Sequence, residues 1–343
     1  MSVYVLDPLS DDRWQRFVER HPKASIFHST GWLRTLHRTY GYDPVAFTSS
    51  VPGVELQDGL VFCRIRSWLT GHRLVALPFS DHCALLVDSA AQLETLLSFC
   101  REESCRERCK YIEFRPKNTG VSPPFETVAS YCLHELNLAP GVESLFQQFH
   151  HDCIQRKIRR AEREQLSFQE GCSPDLLEAF YRLHTRARRR LGLVPQPIAW
   201  FRNLLLELGD QARIRVASHQ RQPVASILTM SFNRTTYYKY GCSDGRFNRL
   251  GGSVALMWQA IRQACQDGHT SFDMGRSDLD QPGLITFKDR WGACKTMVSY
   301  YRWPVSAVSQ LPSWKVQLAR RVFSTMPQNV AQLSGRMLYR HIG

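Results

Sequence analysis

Two short motifs decide the fold of this chain: Phe272-Asp273-Met274-Gly275-Arg276-Ser277, and after it Phe287-Lys288. The first motif predicts a short strand over 272–274, and the Gly-Arg-Ser that follows predicts that Arg276 projects from the carboxyl end of that strand. Ligand contacts in α/β proteins gather at the carboxyl ends of strands. We expect Phe287 and Lys288 to begin another β-like run. The region therefore predicts a ligand site in a domain of mixed α/β structure.

A glycine turn lies upstream of this region. Arg249-Leu250-Gly251-Gly252 follows a β run and precedes a strongly amphipathic helix over 253–265. Glycines before a helix let backbone amides face an anion at the positive end of the helix dipole. Acyltransferases that hold coenzyme A use such a turn, but their pattern of Arg or Gln, two residues, Gly, one residue, then Gly or Ala is out of register here. Gly251 and Gly252 are candidate cofactor-binding residues.

An arginine-rich helix lies further upstream. Arg156, Arg160 and Arg163 are spaced to share one face of a helix predicted over 145–165, opposite an apolar side that contains Ile158. The planar guanidinium fork suits phosphate oxygens, so this face is a candidate anion-binding ridge. A solvated face partly neutralised by neighbouring glutamates is the alternative, and the spacing does not decide between them.

The net charge supports an anionic partner. Lys and Arg number 44 against 31 Asp and Glu, which gives +13 and a pI near 9.4. A surplus of this size indicates a nucleotide, a nucleic acid, a phosphate-bearing lipid or a membrane surface. The further cluster of Arg186 and 188–190 falls at a predicted helix carboxyl end, where the helix dipole favours cations without any ligand.

The composition excludes several classes of protein. Hydrophobic residues at 43% and charged residues at 22% are typical of a globular domain. No run approaches the ~20 apolar residues of a membrane span, and the amino terminus does not resemble a signal peptide. The eleven cysteines include no CxxC, and the group of Cys100, Cys105 and Cys109 matches none of the usual zinc spacings. We therefore expect a cytoplasmic chain with reduced thiols and no metal.

The length predicts two domains, because 343 residues exceed what one core usually organises. Both halves read as helices, a β meander, a helix and a strand, and a Pro-Gly pair at 140–141 marks the junction. We predict domains over 1–139 and 140–311 and a helical tail over 312–343. The basic, amphipathic segment 314–326 is compatible with peripheral contact with a membrane, although docking on the second domain is the favoured interpretation.

The order of the motifs resembles the FemABX-like branch of the GNAT acyltransferase superfamily. The resemblance implies an α/β fold of two tandem GNAT-like domains with mixed sheets and a ligand groove between them. The motifs that carry it are Phe27-His28-Ser29-Thr30-Gly31-Trp32-Leu33, the arginine-rich helix, Tyr240-Gly241-Cys242-Ser243-Asp244, Phe272–Ser277, and Phe287-Lys288 with Trp291-Gly292.

This resemblance implies an N-acyltransferase that moves an aminoacyl or other acyl group onto an amine of a peptidoglycan, polysaccharide or other envelope precursor. The donor would be aminoacyl-tRNA or acyl-CoA, and no tightly bound cofactor would be needed. Phe287 and Lys288 would lie at the reacting centre, where the cation of Lys288 would stabilise the charge of the tetrahedral intermediate. The substrate groove would be lined by Trp32, Arg156, Arg160, Tyr240 and Arg276.

One position departs from the family pattern. Where peptidoglycan enzymes often have Asp before Pro at the end of a strand, this chain has Arg115-Pro116, and the acid on the same strand face is Glu113. Glu113 is a candidate acid or base, but pairing with Arg115 is the favoured interpretation. A coenzyme A-dependent N-acetyltransferase stays open as an alternative. So does a non-catalytic basic module that binds RNA or anionic lipid.

Overall fold

The computed structural model describes residues 2–117, 121, 123–304, 335 and 337–341. The chain divides into two compact units, and the boundaries fall at residues 131/132 and 296/297. The described part of the first unit is therefore 2–117, 121, 123–131, 297–304 and 337–341, and that of the second is 132–296 with Gly335. Most of the predicted tail, including the candidate membrane segment 314–326, lies outside the described residues.

The described chain alternates helices and strands, and its α/β class is as predicted. No helix in these residues is both long enough and apolar enough to cross a bilayer. The strands are β1 (Tyr4–Leu6), β2 (Asp43–Thr48), β3 (Leu60–Ser67), β4 (Gly71–Val75), β5 (Tyr111–Phe114), β6 (Glu126–Asn137), β7 (Ser167–Gly171), β8 (Ala212–His219), β9 (Gln222–Phe232), β10 (Thr235–Ser243), β11 (Ser271–Asp278) and β12 (Cys294–Trp303). The helices are α1 (Asp12–Arg20), α2 (Thr30–Tyr40), α3 (Ala90–Arg106), α4 (Gly141–Gln148), α5 (Arg156–Arg163), α6 (Pro174–Arg190), α7 (Ile198–Leu208), α8 (Gly252–Gln266) and α9 (Pro282–Asp289).

The first unit is a mixed sheet with strand order β1-β2-β3-β4-β5-β12. Strands β1 to β4 form an antiparallel meander, β5 runs parallel to β4, and β12 is antiparallel to β5. Helix α2 begins where the Ser29 side chain accepts from the Trp32 amide and ends at Gly41, whose φ of 69° stops the helix. Large apolar side chains, Trp14 among them, are fully buried and form the core of this unit.

The second unit has strand order β6-β11-β10-β9-β8-β7. Its β7 to β10 are antiparallel neighbours, whereas β10 and β11 are parallel and pair only over 235–237 and 271–273. Both strands continue past this short ladder, to Ser243 and Asp278, so their carboxyl halves are not paired with each other. The predicted core side of the arginine-rich helix is confirmed, because Ile158 packs in one cluster with Trp258 of α8.

The helix predicted over 145–165 is interrupted. Helix α4 ends at Gln148, Phe149 is extended, and a π-type turn over His151–Gln155 leads into α5. The ring of Phe149 is buried edge-on against Trp258 and Trp291, at centroid distances of 5.4 and 4.9 Å. Tertiary burial of this aromatic side chain overrides the local helical pattern.

The prediction that Phe287 and Lys288 begin a β run is wrong, because both lie in helix α9. Pro282 occupies the start of this helix, where its fixed φ favours helical backbone and its missing N–H costs nothing. The carbonyl of Gln281 accepts from the amide of Leu284 at 3.0 Å. The strand predicted over 272–274 exists but extends to Asp278, so Arg276 lies within β11 rather than beyond its end.

Candidate functional site

The glycine turn lies where helix α5 meets the start of α8. Gly251 has φ of 79°, and a Cβ at this position would collide with the Lys157 carbonyl oxygen. Only glycine therefore allows the two segments to approach so closely. The turn leads directly into α8, whose first backbone amides have no partner within the helix by geometry. These amides and the helix dipole favour an anion at this point.

A cavity of about 200 Å³ opens at the turn. Its lining includes both predicted glycines, Gly251 and Gly252, together with Asn248 and Phe287. It also includes Lys157, which is not among the residues predicted for the site from the sequence. The cavity therefore combines helix amides, a cationic side chain and one aromatic ring, a combination suited to a phosphate-bearing ligand with an apolar portion.

Helix α9 brings Phe287 to this cavity and buries the adjacent Lys288. The ring of Phe287 packs edge-on against Trp291 at 6.2 Å. Lys288 is 4% exposed, and its ammonium donates to the carbonyl oxygens of Gly275 and Arg276 at 2.7 and 3.2 Å. These carbonyls belong to the part of β11 that is not paired with β10. The cation is thus fixed where the two strands part.

A histidine that sequence reasoning missed lies beside this lysine. His134 of β6 is fully buried, and its Nε2 is 3.0 Å from Asp289 Oδ1. Burial lowers the pKa of His134, the hydrogen bond to Asp289 opposes that shift, and the charge of Lys288 adds to it. A lone histidine in an otherwise ordinary strand sequence carried no signal that could have identified it.

The predicted arginine ridge faces a different depression. Arg156 and Arg159 line it together with Arg163 and His151. Arg156 is 3.6 Å from Asp152, and Arg160 is 3.4 Å from Glu164. Part of the cationic face is therefore neutralised by carboxylates one helical turn away. The residue of α5 that lines the cavity at the glycine turn is Lys157 and not one of these arginines.

Two other predicted groove residues of the second unit have structural contacts. Tyr240 accepts a hydrogen bond from Trp200 Nε1 at 2.9 Å, and its ring packs edge-on against Phe201 at 5.1 Å. Arg276 is half-buried within β11.

A second open depression adjoins the cavity at Ser243 and is lined by Arg190 and other arginines.

Trp32 and Glu113 lie in the first unit. Trp32 is fully buried and packs edge-on against Phe27 at 5.0 Å. Glu113 accepts from Arg115 with one carboxylate oxygen and from Arg302 with the other, each at 2.7 Å. Burial raises the pKa of Glu113, but the two guanidiniums outweigh it and hold the pKa below its ordinary value. The favoured interpretation of the sequence, pairing with Arg115, is what the contacts show.

Comparison with known proteins agrees with this geometry. Residues 150–288 match a family model described as an acetyltransferase (GNAT) domain. The crystal structure of FemX superposes with a TM-score of 0.68 at 16% identity, covering 93% of this chain and 100% of FemX. Residues 150–288 therefore form a GNAT domain of the acyltransferase type, and the chain shares the fold of FemX.

Other solved structures share the fold of this chain. A tandem GNAT protein from clavulanic acid biosynthesis has a TM-score of 0.52 at 12% identity, with 88% of this chain and 98% of that chain covered. The C-terminal domain of a putative lysylphosphatidylglycerol synthetase from Agrobacterium fabrum has a TM-score of 0.55 at 12% identity, with 85% and 90% covered. Among curated proteins, none matches the sequence. At these identities the similar structures establish the fold alone.

Proposed function

We propose that this protein transfers an acyl or aminoacyl group from a phosphate-bearing donor to the amine of a cell-envelope precursor. One observation carries the proposal: the start of α8, Lys157 and Phe287 line a single cavity, and the residue after Phe287 is the buried Lys288. A donor whose phosphates bind at the helix start would place its acyl end toward the aromatic ring and the cation.

The donor is either aminoacyl-tRNA or an acyl-CoA. Both carry phosphates next to a less charged reactive end, so the same cavity suits either. The fold shared with FemX and with a lysylphosphatidylglycerol synthetase domain supports an aminoacyl donor. The glycine turn at a helix start supports coenzyme A, although its spacing departs from the usual pattern. We favour the aminoacyl donor and take acyl-CoA as the second candidate.

The acceptor is an amine on a phosphate-bearing or carrier-linked molecule. The depression lined by Arg156, Arg159 and Arg163 supports an anionic acceptor, since guanidinium groups pair well with phosphate oxygens. Such a carrier would bring the protein to the inner face of the membrane.

The reaction is a direct attack of the neutral amine on the carbonyl carbon of the donor. The new C–N bond forms as the carbonyl oxygen gains negative charge, and the C–O or C–S bond of the donor then breaks. The proton lost by the amine leaves with the departing alkoxide or thiolate. Lys288 stabilises the developing charge, because a fixed cation in a site shielded from water interacts more strongly than one in solution. Positioning of both substrates supplies the rest.

A thermal-shift screen tests this function. Aminoacyl-tRNA, acyl-CoA and a UDP-linked muropeptide are each titrated, with deacylated tRNA and free coenzyme A as matched controls. The true donor stabilises the folded protein by about 2.7 kcal/mol at a hundred times its dissociation constant. Transfer to the muropeptide is then followed by mass spectrometry. Salt-sensitive binding of any RNA, with no acyl transfer from either donor, would instead support a non-catalytic RNA-binding module.

A further inference from the structure

A second group of chemically active side chains lies in the first unit, independent of the cavity at the glycine turn. His72 is on β4, Glu107 follows α3, and Cys109 precedes β5. One ligand atom from each side chain lies within 4.8 Å of the other two. They meet because α3 is the crossover between the parallel strands β4 and β5, and the Lys110 amide donates to the His72 carbonyl at 2.7 Å. This contact holds the two ends of the crossover together.

The hydrogen bonds of His72 leave one ring nitrogen facing a carboxylate. Nδ1 lies 3.0 Å from the carbonyl oxygen of Glu107, which can only accept, so Nδ1 carries the proton. Nε2 then presents its lone pair to Glu107 Oε2, 3.3 Å away. Both atoms are buried without a hydrogen-bond partner. Two lone pairs at this distance repel unless a cation, either a proton or a metal ion, lies between them.

Side chains around the three groups orient them through hydrogen bonds and ion pairs, as residues next to metal ligands commonly do. Arg64 Nε donates to the other oxygen of Glu107, Oε1, at 2.6 Å, which fixes the carboxylate and leaves Oε2 directed at His72. Glu103 shares the charge of Arg64 at 3.5 Å. Burial and, after it, the charge of Glu107 raise the pKa of the Cys109 thiol to about 11, and the nearby Ser104 hydroxyl opposes that shift only in part. Histidine ligands of metals commonly donate their second nitrogen to a carbonyl in this manner.

We propose that His72 Nε2, Glu107 Oε2 and Cys109 Sγ bind a zinc-type divalent ion, with water as the fourth ligand. Nitrogen, oxygen and sulfur together are a ligand set that zinc accepts in tetrahedral geometry. Ligand atoms around one such ion lie roughly 3.2–3.8 Å apart. The separation of His72 Nε2 from Glu107 Oε2, 3.3 Å, already fits, and Cys109 Sγ, which lies within 4.8 Å of both, has to move by at most about 1.6 Å to complete the set.

The site was not visible in the cysteine spacing. The spacing of Cys109 with Cys100 and Cys105 predicts no metal site. Cys100 is buried and Cys105 is exposed, and neither belongs to the cluster. The partners of Cys109 come instead from a strand and a helix end that the fold brings together. A bound ion would tie the two ends of the α3 crossover and stabilise the first unit.

Cobalt substitution tests the site in the full-length protein. After removal of metals with a chelator, one equivalent of Co²⁺ should produce a near-ultraviolet thiolate-to-cobalt charge-transfer band, which Zn²⁺ then abolishes. Cys109→Ser should lose this band and His72→Asn should bind Co²⁺ far more weakly. Cys105→Ser, on the same segment, is the matched control and should retain the band in full.

Thermal denaturation gives an independent readout. Zn²⁺ should raise the melting temperature of the wild type and of Cys105→Ser but not of Cys109→Ser. The absence of a charge-transfer band in the wild type would overturn the proposal and leave a proton between His72 and Glu107. A band that persists unchanged in Cys109→Ser would overturn it as well, because the thiolate would then come from another cysteine.

Discussion

Glu113 in the first unit and the glycine turn in the second were both candidates for a part in the reaction, and their surroundings differ sharply. Both carboxylate oxygens of Glu113 are occupied by guanidinium groups of Arg115 and Arg302. The cavity is instead lined by helix amides, Lys157 and Phe287 around open volume. A buried charge that opposite charges surround serves stability, whereas polar groups around open space can receive a ligand.

The largest effect is expected at Glu113. Glu113→Gln leaves two buried guanidiniums without their carboxylate, so the free energy of unfolding should fall by about 3–5 kcal/mol. Urea denaturation measures this, with the exposed Glu126→Gln as the control that should be neutral. A variant that keeps full stability but loses turnover would break the comparison, because Glu113 would then act in proton transfer.

Lys288 gives the next largest effect, on catalysis. Lys288→Ala removes the cation proposed to stabilise the tetrahedral intermediate, so kcat should fall by about 10²–10³-fold. The kcat of Lys288→Met should fall equally. Because methionine keeps most of the side-chain volume, this variant distinguishes the loss of the charge from a loss of packing. The half-exposed Lys295→Ala is the control with unchanged turnover. Full activity in both Lys288 variants, with the melting temperature intact, would remove Lys288 from the site.

Each unit also buries a neutral histidine, and this predicts a pH dependence of stability. Burial lowers the pKa of His28 to about 4 and that of His184 to about 3, from 6.5. Between pH 6.5 and 4 the unfolded chain binds protons that the folded chain does not, so stability falls as the pH falls. The loss attributable to His28 should approach ~3 kcal/mol.

Denaturation midpoints between pH 7 and 4.5 measure this slope. The window stays above the ordinary pKa of Glu113, 4.5, whose stabilisation is lost only at lower pH. His28→Gln should reduce the loss of stability with falling pH by the part that His28 contributes. His184→Gln should reduce it by a similar amount through the second unit. A slope that neither substitution changes would mean that these two histidines do not carry the effect.

Much of the fold was predictable because local patterns and burial agree. The core side of α5 and the glycine turn before α8 were predicted correctly from spacing and residue type. Phe287 and Lys288 were identified through family resemblance, but their secondary structure was misread. The run Leu284-Ile285-Thr286-Phe287 before Lys288 fits a strand as well as a helix, and the deciding element was Pro282 at the helix start.

The site was predictable only in part. Lys157 was overlooked because its neighbours form a stronger charge pattern, although the backbone of Lys157 is what makes glycine necessary at 251. His134 and Asp289 are separated by most of the second unit in sequence and meet only in the fold. His72, Glu107 and Cys109 likewise meet through tertiary structure. Contacts between distant segments leave no periodic trace in the sequence.

The cavity itself predicts the smallest but most specific effect, on donor affinity. Lys157 and Arg156 are adjacent, exposed cations of α5, and only Lys157 lines the cavity at the glycine turn. Lys157→Ala should weaken binding of the donor by about tenfold, since it removes one charge-assisted contact to phosphate. Arg156→Ala should leave donor binding almost unchanged, because its contacts face the other depression.

Titration calorimetry with the donor found by the thermal-shift screen is therefore the most direct test of the account. It predicts a dissociation constant about tenfold higher for Lys157→Ala than for Arg156→Ala at the same ionic strength. Equal losses in the two variants would show a diffuse charge effect, and a larger loss in Arg156→Ala would place the donor elsewhere. Either result would contradict the cavity at the glycine turn as the donor site.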